Sequence, residues 1–133
     1  LWSEEFISAL TEKLSIKGRL ITYSTAASIR ASFKRAGLKI YSIVPLINNQ
    51  NKWSSGTVAM RKELEEHFIS ENCQFKELST REIEHLATRS SIPYRDPTGR
   101  GSSKEIISTR EIEQSKSQLI NTSSWRKRWN TAQ

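Results

Sequence analysis

The stretch Ser123-Ser124-Trp125-Arg126-Lys127-Arg128-Trp129 sets two indoles four residues apart with three consecutive cations between them. Residues at i and i+4 share a helix face. Cations of this kind neutralise phosphates, and indoles stack on an unpaired base or pack on a sugar. Trp125, Arg126, Lys127, Arg128 and Trp129 are therefore candidates for contact with RNA. The same pattern also fits two indoles docked on the domain with the cations in water, because a terminal helix needs an apolar hold to be ordered.

A second group is Thr22-Tyr23-Ser24, which ends a short apolar run. Open α/β sheets bind ligands at the carboxyl ends of their strands, so Thr22, Tyr23 and Ser24 are substrate-pocket candidates. Tyr23 either lines that pocket or packs under the next helix with its hydroxyl at the rim. Trp2 begins a helix that starts at the same edge, and is either a pocket border or a core anchor. Arg30 reads as a solvated or phosphate-facing helix cation and not as a catalytic group. Lys52 and Trp53 sit in a polar loop, Pro45–Gly56, and are further RNA candidates.

The elements that must position these groups follow from local pattern. Ser3 is a helix cap, and Glu4 and Glu5 suit the first turn of a helix over Ser3–Leu14. Its buried stripe is read as Phe6, Ile7, Leu10 and Leu14. Gly18–Tyr23 reads as a strand. Ala26, Ile29, Phe33 and Ala36 recur at helical spacing and predict a helix over Ala26–Ala36 with one narrow apolar face. Lys34 and Arg35 suit its last turn, and Gly37 suits a left-handed C-cap. Leu38–Val44 and Thr57–Met60 read as strands, the latter two as an antiparallel pair at a sheet edge. The crossover from Gly18 to Val44 is too long for a hairpin, so its two strands are parallel or separated in one sheet. Arg61–Phe68 reads as a charged helix with Leu64 and Phe68 as its apolar face. Ser79-Thr80-Arg81-Glu82-Ile83-Glu84 recurs as Ser108-Thr109-Arg110-Glu111-Ile112-Glu113. Each copy is a capping box and predicts a helix start, at Ser79 and at Ser108. Between them the run from Ser91 to Gly101 holds two prolines and two glycines and reads as a loop.

Composition narrows the function classes. The chain has 133 residues, enough for one domain, and 35% of them are hydrophobic, which implies a thin core. A net charge of +7 points either to a polyanionic partner such as nucleic acid or to a plain basic protein. One cysteine allows no internal disulfide, and two histidines without ligand spacing argue against a metal site. No run approaches a membrane span and no signal peptide is visible, so the expected location is cytoplasmic. An opening on Leu1-Trp2, directly before a helix cap, reads as a cut through a larger domain. An α-β-α-β run starting this way is the back half of a doubly wound sheet.

Leu1-Trp2-Ser3-Glu4-Glu5-Phe6, Gly18-Arg19-Leu20-Ile21-Thr22-Tyr23-Ser24-Thr25-Ala26, Ile29-Arg30 and Ala36-Gly37-Leu38 resemble the MnmC-type tRNA methyltransferases of bacteria. Gly56-Thr57-Val58-Ala59 resembles that family's last strand. The tail, with Thr88–Pro97 and the Trp-Arg-Lys-Arg-Trp end, is similar to the extension of cyanobacterial members. The resemblance covers residues 1–60 and implies the C-terminal half of a Rossmann-like class I sheet. It leaves 61–133 as a mainly helical, loop-rich, basic extension. It implies S-adenosylmethionine as cofactor and tRNA as partner. The reaction would be methylation of the aminomethyl group of a wobble uridine (5-methylaminomethyl-2-thiouridine), by attack of a neutral amine on the sulfonium methyl. No Gly-x-Gly-x-x-Gly occurs in the sequence, so the cofactor loop belongs to the part of the fold that this chain lacks. The chain alone is then expected to be inactive, with its catalytic and cofactor-binding residues elsewhere.

Two other classes fit the residues: a basic RNA-binding module without chemistry, and a structural or interaction domain. A strand at Leu20 without its outer neighbour leaves a row of unpaired backbone groups, which predicts self-association through that edge or marginal stability.

Overall fold

The computed structural model describes residues 2–45, 54–64 and 74–131. Ser3 caps helix α1, Glu4–Lys13, its hydroxyl accepting the Phe6 N–H at 3.2 Å. Then come β1, Arg19–Thr22; α2, Ala27–Arg35; β2, Lys39–Ile43; and β3, Gly56–Met60. The remainder is β4, Phe75–Lys76; α3, Thr80–His85; α4, Ser103–Lys116; and α5, Thr122–Thr131, with 3-10 turns at Lys62–Leu64 and Arg89–Ser91.

The four strands form one sheet in the order β1-β3-β2-β4. Both β1 and β2 pair antiparallel to β3, with Thr22 opposite Thr57 on one side and Ile43 opposite Gly56 on the other. The strands flanking α2 are thus parallel to each other and separated by β3. The expected β2–β3 pair is antiparallel, but it lies inside the sheet, because β1 and β4 flank it. All five residues of β3 are buried, as a central strand covered on both faces requires. Side chains alternate along it. Ala59 joins Ile7, Ile29, Phe33, Leu38 and Ile40 on one face, while Val58 and Met60 join Tyr41 on the other. Fully burying one such side chain, Phe33 for example, contributes about 1.5–3 kcal/mol.

Two glycines are fixed by geometry. Gly37 has φ +89° and ends α2 in the expected left-handed turn, with the Leu38 N–H returning to the Phe33 carbonyl at 3.1 Å. At Gly56 a Cβ would stand 2.4 Å from the Thr22 carbonyl oxygen, so β1 could not approach β3 there with any side chain present.

Several expectations need correction. In α1 the buried positions are Ile7 and Thr11, whereas Phe6 is exposed. Helix α2 has no narrow stripe: every residue from Ala27 to Phe33 is buried, because the C-terminal segment covers the face away from the sheet. Ser108 starts no helix. A capping box at Ser102 and Glu105 begins α4 earlier and leaves Ser108 inside it, while Ile106 is the residue it buries. The box at Ser79 and Glu82 does start α3. Of the charged helix expected over Arg61–Phe68, Lys62–Leu64 form a 3-10 turn, and residues 65–68 lie outside the described residues.

The C-terminal segment is tied to the first sixty residues by arginines. Arg61 closes the end of α1 by donating to the carbonyls of Thr11 (2.8 Å) and Leu14 (3.1 Å). Arg95 pairs with Glu5 at 2.6 Å, and the Glu4 N–H donates to the Tyr94 carbonyl at 2.8 Å. Arg30, from α2, pairs with Glu82 of α3.

Candidate substrate cleft

The turn that carries the chain from β1 into α2 is built from hydroxyls. Thr22 Oγ1 accepts the Ser24 N–H at 3.1 Å, and Ser24 Oγ accepts the Ala26 N–H at 3.3 Å. The Ser24 carbonyl accepts the Thr57 hydroxyl of β3 at 2.8 Å. This turn brings the first residues of α2 to the carboxyl end of β1. There Trp2, Ala26–Ile29, His85, Ser90, Tyr94 and Arg110 enclose a cleft of about 450 Å³. It lies where open α/β sheets bind ligands.

The far wall comes from the C-terminal segment and is held firmly. Arg110 donates to the carbonyls of Ile92 (2.7 Å) and Ser90 (3.0 Å) and to the Tyr94 hydroxyl (3.3 Å). Its guanidinium also lies 4.3 Å over the Tyr94 ring. His85 stacks on Trp125 at 4.4 Å between centroids and 20° between planes. Burial lowers the His85 pKa, and the charges of Arg30, Arg126 and Arg81 lower it further against the opposing Glu82. The imidazole is therefore neutral at pH 7. Trp2, on the near wall, meets Phe6 and Phe33 edge to face.

Next to this cleft, in α2, lies a buried polar network centred on Arg30. Arg30 is fully buried and donates to Thr57 Oγ1 at 2.7 Å, Ser54 Oγ at 2.8 Å, the Gly56 carbonyl at 3.1 Å and Glu82 Oε1 at 3.1 Å. Burial presses the Glu82 pKa upward. The Ser79 N–H, the Ser54 and Ser42 hydroxyls and the Arg30 charge outweigh it and hold the carboxyl down at about 2. Both groups are charged, and the network fixes α3, and with it His85, against the sheet.

Sequence-based site expectations divide accordingly. Trp2 borders the cleft. Thr22 and Ser24 shape its turn and are not in its lining, and Tyr23 is 94% exposed and is not in the lining either. Neither a pocket wall nor a buried position describes Tyr23, because it follows the last paired residue of an edge strand. Arg30 is not a solvated or phosphate-facing cation; the docking of α3 encloses it. Trp125 is buried against His85, so its faces are not open to a base. Trp129 is half-buried and donates its indole N–H to Glu84 at 2.7 Å, and Arg128 pairs with the same carboxylate. The indoles hold α5 on the domain. Arg126 and Lys127 remain on the exposed face. Lys52 and Trp53 lie outside the described residues. The far wall, His85, Ser90, Tyr94 and Arg110, escaped sequence reading. The only local signal was that Arg81 and His85 sit four apart on a capped helix and so share a face.

The fold is a mixed α/β chain with a cleft at the end of β1. Residues 1–65 match the family described as S-adenosyl-L-methionine-dependent methyltransferase. Among solved structures, the chain is similar to the crystal structure of MNMC2 from Aquifex aeolicus. The TM-score is 0.67 at 24% identity, with 88% of this chain and 34% of that chain covered. The chain thus spans about a third of that protein's length. No curated protein matches. The family match agrees with the methyltransferase resemblance of the first residues, and the structural similarity shows a shared fold.

The cleft does not fit S-adenosylmethionine by itself. Its lining contains no glycine for close approach to the cofactor and no carboxylate for the ribose hydroxyls. Among the described residues no group of His, Cys, Asp and Glu could hold a metal ion, and no helix is long and apolar enough to cross a membrane.

Proposed function

We propose that this chain is the closing part of a Rossmann-like, S-adenosylmethionine-dependent tRNA methyltransferase and forms the substrate-facing wall of its active site. The observation that carries this reading is the match of residues 1–65 to a methyltransferase family, on a fold shared with MNMC2 from Aquifex aeolicus. The cleft at the carboxyl end of β1 supports it: its walls of Trp2, Ala27, Ile29 and Tyr94 suit a planar base, and Arg110 and Ser90 offer donors to its edge. The acceptor is the aminomethyl group of a wobble uridine. What these residues supply is orientation and exclusion of water, which a transfer between two aligned reactants requires. The cofactor cradle and the catalytic groups lie in the rest of the sheet, joined at the open edge of β1. The chain by itself is inactive, and the enzyme works in the cytoplasm. Exposed Arg126 and Lys127 contribute to the RNA-facing surface.

The test is a methyl-transfer assay with undermodified tRNA on the full-length gene product, beside calorimetry of S-adenosylmethionine on this chain. Methyl transfer by the former and no heat of binding with the latter are expected. Full-length protein that leaves the tRNA unmethylated would refute the reading.

A further inference from the structure

A second, smaller cleft of about 360 Å³ adjoins the first and shares Ala26 and His85 with it. Its other lining residues are Thr25, Arg81, Trp125, Arg126 and Asn130. Where the first cleft is walled mainly by apolar groups, this one presents two guanidinium groups, an amide and a threonine. No carboxylate lines it. The two acidic residues of α3 face elsewhere: Glu82 turns inward to Arg30, and Glu84 is engaged by Arg128 and Trp129. Arg81 lies 5.7 Å over the Trp125 ring, whose stack with His85 sets the floor. Arg126 is exposed at the mouth.

We infer that this cleft binds a backbone phosphate of the RNA, with Arg81 and Arg126 as its ligands, next to the nucleotide whose base enters the larger cleft. The inference rests on the tRNA reading above and adds a site to it. Paired arginines suit a phosphodiester because their planar forks present two donors to two oxygens. The shared wall at Ala26 and His85 keeps base and phosphate one short step apart, as within a single nucleotide. The segment after residue 61 thereby acts in substrate capture and is more than a cover for α2. His85 reports on the site. Arg30, Arg81 and Arg126 lower its pKa and Glu82 opposes them, so a phosphate anion beside it raises that pKa.

The experiment uses the full chain with an anticodon stem–loop RNA and, separately, inorganic phosphate. Binding is measured across a range of salt, and the His85 ring is titrated by NMR. Arg126→Gln removes one ligand from an exposed position and leaves the melting temperature unchanged. It is expected to weaken RNA binding on the order of tenfold and to reduce the slope of log K against log salt by roughly 0.7. Arg126→Lys restores the slope but only part of the affinity. RNA raises the His85 pKa in the parent chain and not in Arg126→Gln. RNA binding whose slope and His85 titration ignore Arg126→Gln overturns the site while leaving the methyltransferase reading intact. A His85 response to inorganic phosphate without RNA binding makes this a free-anion site and overturns the inference as well. Loss of methyl transfer by the full-length product is the separate failure, of the function itself.

Discussion

Arg30 and Glu82 meet at 3.1 Å with side-chain exposures of 0% and 6%, joining the helix after the first strand to a helix fifty-two residues further on. Four hydrogen bonds from the guanidinium and further ones to the carboxylate leave neither charge without partners. Removal of one partner strands the other. Arg30→Met or Glu82→Leu is expected to cost about 3–5 kcal/mol in urea unfolding. The double substitution should recover a large part of that loss, since a buried pair replaced whole by apolar groups is often near neutral. A double variant as unstable as the sum of the singles would show that the pair is not what couples α3 to α2.

Glu82 also gives the fold an acid limit. Its folded pKa of about 2 lies below the ordinary value of 4.5. Its contribution is therefore fully present above pH 4.5 and is lost as pH falls toward 2, because the unfolded chain takes up the proton first. The contribution at neutral pH is about 3 kcal/mol. Glu82→Gln should be less stable at pH 7 and should show a flatter decline between pH 4.5 and 2. Parallel curves for the two proteins in that interval would refute this.

The sequence announced local structure well and long-range partnership poorly. Gly37, the cap at Ser3 and the box at Ser79 act within four residues, and each appears where its pattern placed it. The capping role of Glu82 was legible; its pairing with Arg30 was not, because no local pattern encodes a contact across that separation. The same holds for the cleft. Trp2 could be placed at the strand edge, but His85, Ser90, Tyr94 and Arg110 reach it only through the packing of the C-terminal segment. Arg30 misled for a related reason: a cation among small residues on a helix looks solvated until the element that covers it is known.

The open side of β1 predicts association. In the order β1-β3-β2-β4 this strand is an edge, with Ile21 62% and Tyr23 94% exposed along it. An edge bearing apolar side chains is a template for another strand. Sedimentation of the isolated chain should show a concentration-dependent dimer, and Ile21→Lys should shift it to monomer without lowering the melting temperature. A parent chain that stays monomeric at high concentration would argue against it.

The last prediction separates the residues of α5 by burial. Trp125 is 7% exposed and stacked on His85, so Trp125→Ala should cost about 3–5 kcal/mol. Trp129→Phe keeps the ring but loses the N–H that Glu84 accepts; at a half-buried position this should cost about 1 kcal/mol. Arg128 reaches the same carboxylate from a side chain 63% exposed, and Arg128→Ala should change stability by less than about 1 kcal/mol. A thermal-denaturation series ordered Trp125, then Trp129, then Arg128 supports indoles that hold the helix in place. A Trp125→Ala protein as stable as the parent would mean that the indole is free to leave His85, and would restore base stacking as its role.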